Sequence, residues 1–340
     1  MANEVVLDVK NLCTSFVTDK HETKIIKNVS FQLKKGTTLA VVGESGCGNS
    51  VTVNSILRLM AKNARIRSDY VIYRSNKDGK ETEYHLDKMS NYGREMRSLR
   101  GPEISMIFQD PMASLNPVYK IGAQISEGLL EHNPHMKKKE AWERSVEMLK
   151  KLGIPAAAER AQAYPHQMSG GMKQRVVIAI AMICNPEILV ADEPTTALDV
   201  IIQAQIMELM KQLQTELHKS IILITHNMGL VAEMADDVIV MYMGRIVEAG
   251  PIAAIFDNPL HPYTSALLQS VPVLGMKRDR ELKTIPGSTP NPADLGEGCE
   301  FADRCERCTE ACRQGTIPTY EAEDGHRVRC LLYSGCREVD

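Results

Sequence analysis

Gly43-Glu44-Ser45-Gly46-Cys47-Gly48-Asn49-Ser50 is the stretch whose reading decides the fold. It follows the pattern G-x-x-x-x-G-K-[ST] everywhere except at the lysine. In that pattern glycines let consecutive backbone N–H groups turn inward around phosphate oxygens. The lysine reaches the β/γ-phosphates, and the hydroxyl that follows ligates Mg²⁺. Gly43, Gly46, Gly48 and Ser50 are in place, while Asn49 occupies the position of the cation.

The flanking residues supply the context such a loop requires. Thr38–Val42 is a short apolar run that stops at Gly43. From Ser50 to Ala61 apolar residues recur at helical spacing (Val53, Ile56, Leu57, Leu59, Met60). Strand, glycine loop and helix in that order aim a helix N-terminus at bound phosphates. Further out, Val5–Val9 and Ile25–Leu33 alternate like strands, residues 62–100 read as a small antiparallel excursion, and Ile104–Phe108 reads as another strand. From Val118 to about Ala163 the pattern is helical, with Ile121, Ile125, Leu129, Val146, Leu149 and Leu152 as its apolar face. Ile188–Val190 and Ile221–Ile224 are continuous apolar runs of the kind found in buried parallel strands. Helix-length segments separate them, which predicts a doubly wound α/β sheet. A strand pair, Val238–Met241 and Arg245–Glu248, is expected around Gly244. Beyond Gly250 prolines multiply, and a boundary is expected near residue 255.

A chain of 340 residues is one large domain or two. Its net charge of −3 gives no electrostatic case for nucleic acid, and Lys137-Lys138-Lys139 reads as the solvated face of a helix. No apolar run approaches the ~18–20 residues that span a bilayer, and the start lacks the basic flank and apolar stretch of a signal peptide. A cytoplasmic location is therefore expected, with any membrane contact made through partners. Cys13, Cys47 and Cys184 are scattered, whereas Cys299, Cys305, Cys308, Cys312, Cys330 and Cys336 crowd the last 42 residues. In a reducing compartment such a cluster points to metal rather than disulfides.

Two further stretches carry chemistry. Ile188-Leu189-Val190-Ala191-Asp192-Glu193 is an apolar strand that delivers carboxylates to the edge of the sheet where phosphates bind. Asp192 suits a Mg²⁺ ion held through water, and Glu193 suits polarisation of an attacking water. Taken alone, the pair is also what a strand followed by a polar turn looks like. Met168-Ser169-Gly170-Gly171-Met172-Lys173-Gln174-Arg175 opens a helix with exposed N–H groups and a hydroxyl, which is either an ordinary cap or an anion site.

Taken together and in order, these motifs resemble those of ATP-binding cassette (ABC) transporter ATPase subunits over essentially the whole chain. Phe108-Gln109-Asp110 resembles the Q-loop, Ser169–Gln174 the signature and Ile188–Glu193 the Walker B strand. Ala197-Leu198-Asp199 resembles the D-loop and Ile224-Thr225-His226 the switch. The resemblance implies a P-loop NTPase fold with an antiparallel β subdomain, a helical subdomain at about 113–168 and a nucleotide-binding domain over 1–255. It implies that Gly43, Ser45, Gly46, Cys47, Gly48, Asn49, Ser50 and Val51 surround the phosphates of ATP. Phe16 would stack on adenine, although a phenylalanine ending a strand is as often core. Ser50, Gln109 and Asp192 would hold Mg²⁺. Glu193, His226 and Gln109 would act in hydrolysis, and Ser169, Gly170, Gly171, Gln174 and Asp199 would serve nucleotide across a subunit pair.

Two stretches narrow the resemblance to dipeptide/oligopeptide importer ATPases. One is Phe108-Gln109-Asp110-Pro111-Met112-Ala113-Ser114-Leu115-Asn116-Pro117. The other is the tail, with His261-Pro262-Tyr263-Thr264, Ile285-Pro286-Gly287 and Gly298-Cys299-x-Phe301-x-x-Arg304-Cys305. Nickel importer ATPases are the neighbouring alternative, but they generally lack the cysteine tail. By the same resemblance residues 256–340 form a small Cys-rich C-terminal domain in which Cys299, Cys305, Cys312 and Cys330 hold a [4Fe–4S] cluster. Four thiolates suit Zn²⁺ equally well on spacing alone. The implied partners are a second ABC ATPase subunit, two transmembrane permease subunits and an extracytoplasmic peptide-binding protein. The implied location is the cytoplasmic face of the membrane, as a peripheral subunit.

Asn49 departs from the family pattern. A side chain without the charge and length of lysine predicts an impaired site in this chain, and a heterodimer in which its signature completes the partner's site. Glu193, Gln109 and His226 are retained, so a substitution in an otherwise competent site is a second reading. A non-hydrolysing regulatory or scaffolding subunit is a third. ABC proteins acting on DNA or ribosomes are disfavoured, because neither a second cassette nor a long coiled-coil insertion is present.

Overall fold

A computed structural model describes residues 4–18, 21–77, 80–196, 198–270, 285–323 and 325–339. Two sheets organise them. In the first, the long strands β1 (Val5–Val17) and β2 (Glu22–Lys34) pair antiparallel. β4 (Ala64–Arg67), β5 (Tyr70–Lys77) and β6 (Lys80–His85) complete that sheet. The expected strand Val5–Val9 is thus extended by eight residues. Residues 62–100 form the antiparallel excursion and close with the helix Arg94–Leu99.

In the second sheet β3 (Thr38–Val42), β7 (Ile104–Ile107), β8 (Ile188–Asp192), β9 (Ser220–Thr225) and β10 (Asp237–Tyr242) run parallel. Their order is β10-β3-β9-β8-β7. All five residues of β3 and of β8 are buried, as strands covered on both faces must be. Helices Asn49–Ile56, Gly170–Met182, Val200–Leu217 and Met228–Met234 lie in the crossovers, so the C-terminal ends of all five strands lie on one edge.

The helix after the phosphate loop stops at Ile56, short of the expected Ala61. Arg58 takes a left-handed φ of 55°, the Leu59 N–H bonds back to the Asn54 carbonyl at 2.8 Å, and the Arg58 N–H bonds to Ser55 at 3.2 Å. This is the double bond of a Schellman stop, with arginine where glycine is usual. The arginine is held there by tertiary contacts, since its guanidinium donates to the carbonyls of Leu86 and Asp87. The helical stretch after Val118 divides into Ile121–His132, Lys138–Lys151 and Ala157–Gln162, with Pro134 in the first break. Its apolar face merges with Leu189, Ala191 and Met207 into one core.

The segment after residue 285 does not form a sheet of its own. β11 (Arg245–Pro251) pairs antiparallel with β10, and β13 (His326–Val328) pairs with β11. β12 (Thr319–Glu323) and β14 (Arg337–Val339) then extend the same sheet. Phe301 packs in a third core with Tyr242, Tyr263 and Val240. Among the described residues no helix is long and apolar enough to cross a membrane.

Candidate functional site: a phosphate loop and a carboxylate cluster

The loop 43–50 leaves the C-terminal end of β3 and enters the helix Asn49–Ile56. Its tightness is set at two glycines. A Cβ on Gly43 would lie 2.4 Å from the Met241 carbonyl oxygen, and Gly48 takes a φ of 100° at the helix N-cap. The Cys47 N–H bonds to the Glu44 carbonyl, and the Cys47 carbonyl accepts from Gly244 at 2.8 Å. Ser45 and Gly46 are exposed at the tip, while Cys47 is buried and its thiol is pushed up by that burial. Val51 packs inward against the core beneath the first sheet.

Asn49 takes the first helical position, where its side-chain carbonyl oxygen is buried and has no hydrogen-bond partner. An orphaned buried acceptor costs about 1–3 kcal/mol. A lysine there would bring donors only. Beside it, the Ser50 hydroxyl donates to Asp192 at 2.9 Å, joining the end of the loop to the end of β8. Burial raises the Asp192 carboxyl and neighbouring Glu193 adds to this, against the Ser50 bond.

Glu193 is the hub of a second cluster. Gln109 Nε2 donates to its Oε2 at 2.9 Å, Thr196 Oγ1 donates to the same oxygen at 2.8 Å, and His226 Nδ1 lies 3.1 Å from Oε1. The residues come from the ends of β7, β8 and β9, which the parallel order brings together. Burial alone would raise this carboxyl, but the hydrogen bonds from Thr196, His226 and Gln109 outweigh it and hold it below the usual range. Glu193 itself adopts a left-handed φ of 45°, uncommon for a non-glycine residue and often found where a side chain is aimed for function. Thr196 was not singled out from sequence. Its signal is a hydroxyl three residues after the carboxylate, which turn geometry folds back.

Phe16 is half-buried near the end of β1, opposite Thr23 on β2 and Ala64 on β4. Ser169 is the N-cap of Gly170–Met182, its Oγ accepting from the Met172 N–H at 3.3 Å. Ser169 and Gly170 are exposed, while Gln174 is buried within the chain. Asp199 caps Val200–Leu217 by accepting from Ile202 at 2.9 Å. Ala197 lies outside the described residues.

In the tail, Cys299, Cys305, Cys312 and Cys330 line one cavity of about 90 Å³, together with Cys308. That is several times the roughly 10–15 Å³ that admits one water. Burial pushes the Cys299 thiol up to about 11 and raises Cys305 and Cys330 as well. Among the described residues no group of three or more His, Cys, Asp or Glu side chains is arranged to hold a metal ion. The expected iron–sulfur cluster or zinc ion is thus not supported by the arrangement of these side chains, although the four cysteines line one cavity.

Comparison with known proteins decides the family. The family model described as "ABC transporter" matches residues 26–196, and the one described as "Oligopeptide/dipeptide transporter, C-terminal region" matches residues 247–312. A putative peptide import ATP-binding protein of Brucella ovis is 47% identical over 338 residues, covering 98% of both chains. The dipeptide transport ATP-binding protein DppD of Lactococcus lactis is 50% identical over 334 residues, covering 98% of this chain and 92% of its own. The chain belongs to the ABC transporter family. A solved dimer of the cassette MJ0796 bound to ADP and Pi matches with a TM-score of 0.60 and 26% identity, over 72% of this chain and 98% of that one.

ATP with Mg²⁺ is what an ABC ATPase subunit is expected to bind. The fit to Mg²⁺ rests on Ser50 and Asp192, already in contact, as the hard oxygen donors such an ion takes. When bound, the ion would neutralise charge on the phosphates. Asp192 is kept near Ser50, and Glu193 is held ionised with one oxygen shared by Gln109 and Thr196 and the other facing His226.

Proposed function

We propose that this chain is the ATP-binding subunit of a di-/oligopeptide importer whose own phosphate loop turns over little or no ATP. Its exposed Ser169-Gly170 signature, with Gly171 behind it, would complete the ATP site of a second, lysine-bearing ATPase subunit. The pair would sit peripherally on the cytoplasmic face of two transmembrane permeases fed by an extracytoplasmic peptide-binding protein. The peptide substrate is carried by the names of the relatives and by the matched C-terminal region. Val200 and Ile201, apolar and 81% and 72% exposed beside Asp199, suit a face covered by such a partner.

The observation that carries the impaired site is Asn49, with its orphaned oxygen, inside an otherwise assembled constellation. A charge-assisted bond contributes about 1.5–3 kcal/mol, so ATP affinity is expected to be roughly ten- to a hundredfold below that of Asn49→Lys. Hydrolysis suffers more, because preorganised cations stabilise the charge that develops on the transferred phosphoryl group. The test is the ATPase rate of the purified chain. A substantial rate abolished by Glu193→Gln refutes the impaired site, and an active importer reconstituted with this chain as its only ATPase refutes the heterodimer. The intact Gln109–Glu193–His226 cluster favours a second reading, a single substitution in a competent site. Recovery of homodimeric activity in Asn49→Lys would support it.

We assign Cys299, Cys305, Cys312 and Cys330 to a [4Fe–4S] cluster rather than Zn²⁺. The support for this reading is the cavity that the four cysteines share and the resemblance of their spacing to the peptide-importer tail. Iron and acid-labile sulfide measured on anaerobically purified protein test this, and stoichiometric zinc instead would refute it.

A further inference from the structure

We propose that Arg304 is a positioning residue for the phosphate-binding loop, tying it through Glu44 to the cysteine-lined tail. The proposal rests on the reading of loop 43–50 as the nucleotide site. Glu44 follows Gly43 directly, and both its carboxylate oxygens are taken by one guanidinium. Arg304 Nη1 donates to Oε2 at 2.6 Å and Nη2 donates to Oε1 at 3.0 Å. Thr289 Oγ1 adds a bond to Oε2 at 3.3 Å, and the Glu44 N–H donates to Tyr263 Oη at 2.9 Å. Glu44 is thereby fixed at both backbone and side chain by residues more than 200 positions away.

Arg304 is itself locked. Its side chain is 6% exposed, its Nε donates to the Pro286 carbonyl at 2.8 Å, and Nη1 also reaches Tyr242 Oη at 3.2 Å. The guanidinium carbon lies 5.8 Å from the ring centres of both Tyr242 and Phe301. A planar fork gripping a carboxylate with two parallel bonds fixes direction as well as distance, which a lysine could not do.

The other side of the same turn faces the cavity. Cys299 accepts from Ala302, and the short helix Ala302–Arg304 hands over directly to Cys305. One peptide unit therefore presents Arg304 to the phosphate loop and Cys305 to the cysteine cavity. Whatever fixes the cysteines fixes the arginine, and the arginine fixes the mouth of the loop.

Hydrogen exchange on the full nucleotide-free chain, read on peptides covering residues 43–48, tests this without requiring ATP. Arg304→Met is expected to speed exchange there about tenfold while peptides from β9 stay unchanged. Glu44→Gln should do the same, and the double variant should add nothing. Loop exchange unmoved by either change, or additive effects, overturns the proposal. If Arg304→Met does not fold, Glu44→Gln and Arg304→Lys carry the same comparison, since Lys keeps the charge but loses the fork. Calorimetry with ATP gives the second readout. Affinity is expected to fall about tenfold in Arg304→Met, and unchanged affinity overturns the proposal. A wild-type chain that binds no ATP sinks the nucleotide reading instead, and the exchange result then decides Arg304 alone.

Discussion

Asn49 has neither the charge nor the reach of lysine, and its amide oxygen is buried without a partner. Asn49→Lys is therefore expected to relieve an orphaned acceptor as well as add a cation, so ATP binding should tighten roughly ten- to a hundredfold by calorimetry. An affinity unchanged by the substitution would mean that the loop does not hold phosphates as its pattern implies. Glu193 offers a pH test in that background. Hydrogen bonds hold its carboxyl low against burial, so its share of stability is present above the unfolded pKa and is lost as pH falls through the folded one. Thr196→Val removes one of those bonds and should raise the carboxyl pKa. The acidic limb of the ATPase profile should then move to higher pH, and a limb that stays put would remove Glu193 from the rate-limiting chemistry. Asp192 and Glu193 were legible in the sequence because they end an apolar strand, whereas Gln109 and His226 were picked out only by the resemblance to the ABC motifs. Thr196 was not, because a lone hydroxyl in a turn has no periodic signature.

At the scale of elements, the loop works because glycine holds a conformation other residues resist. Gly48 sits at φ 100° where the helix begins, and a Cβ there would come within 2.7 Å of the Ile26 side chain. The side chain can shift, so the backbone carries most of the penalty. Gly48→Ala should cost roughly 1–2 kcal/mol in urea unfolding and weaken nucleotide binding further. A variant as stable as the parent would mean that the loop relaxes to an ordinary turn. The helix that follows illustrates a limit of pattern reading. Leu59 and Met60 keep the apolar spacing, yet the chain turns at Arg58 because Leu86 and Asp87 offer carbonyls to its guanidinium. Periodicity reports which face is apolar, but the end of a helix is decided by partners that sequence does not place.

For the molecule as a whole, the tail extends the nucleotide-binding sheet through β13 on β11 and packs Phe301 against Tyr242 and Tyr263, with ring centres 5.3 Å from each. Phe301→Ala should cost about 3–5 kcal/mol, read from thermal or urea unfolding. It should lower a single cooperative transition shared with the phosphate-loop core. Separate melting of the tail would show that residues 285–340 fold independently of that core. By itself the sequence determined the phosphate loop, the parallel strands, the two carboxylates and the cysteine group. Each of these is written in local spacing, where glycine, apolar runs and thiols have few other uses. Only the tertiary structure decided that the Glu44 beside Gly43 is gripped by an arginine 260 residues away, and that the tail joins the sheet. Such pairings depend on which strand edges and charged side chains packing brings together, and no local pattern records that.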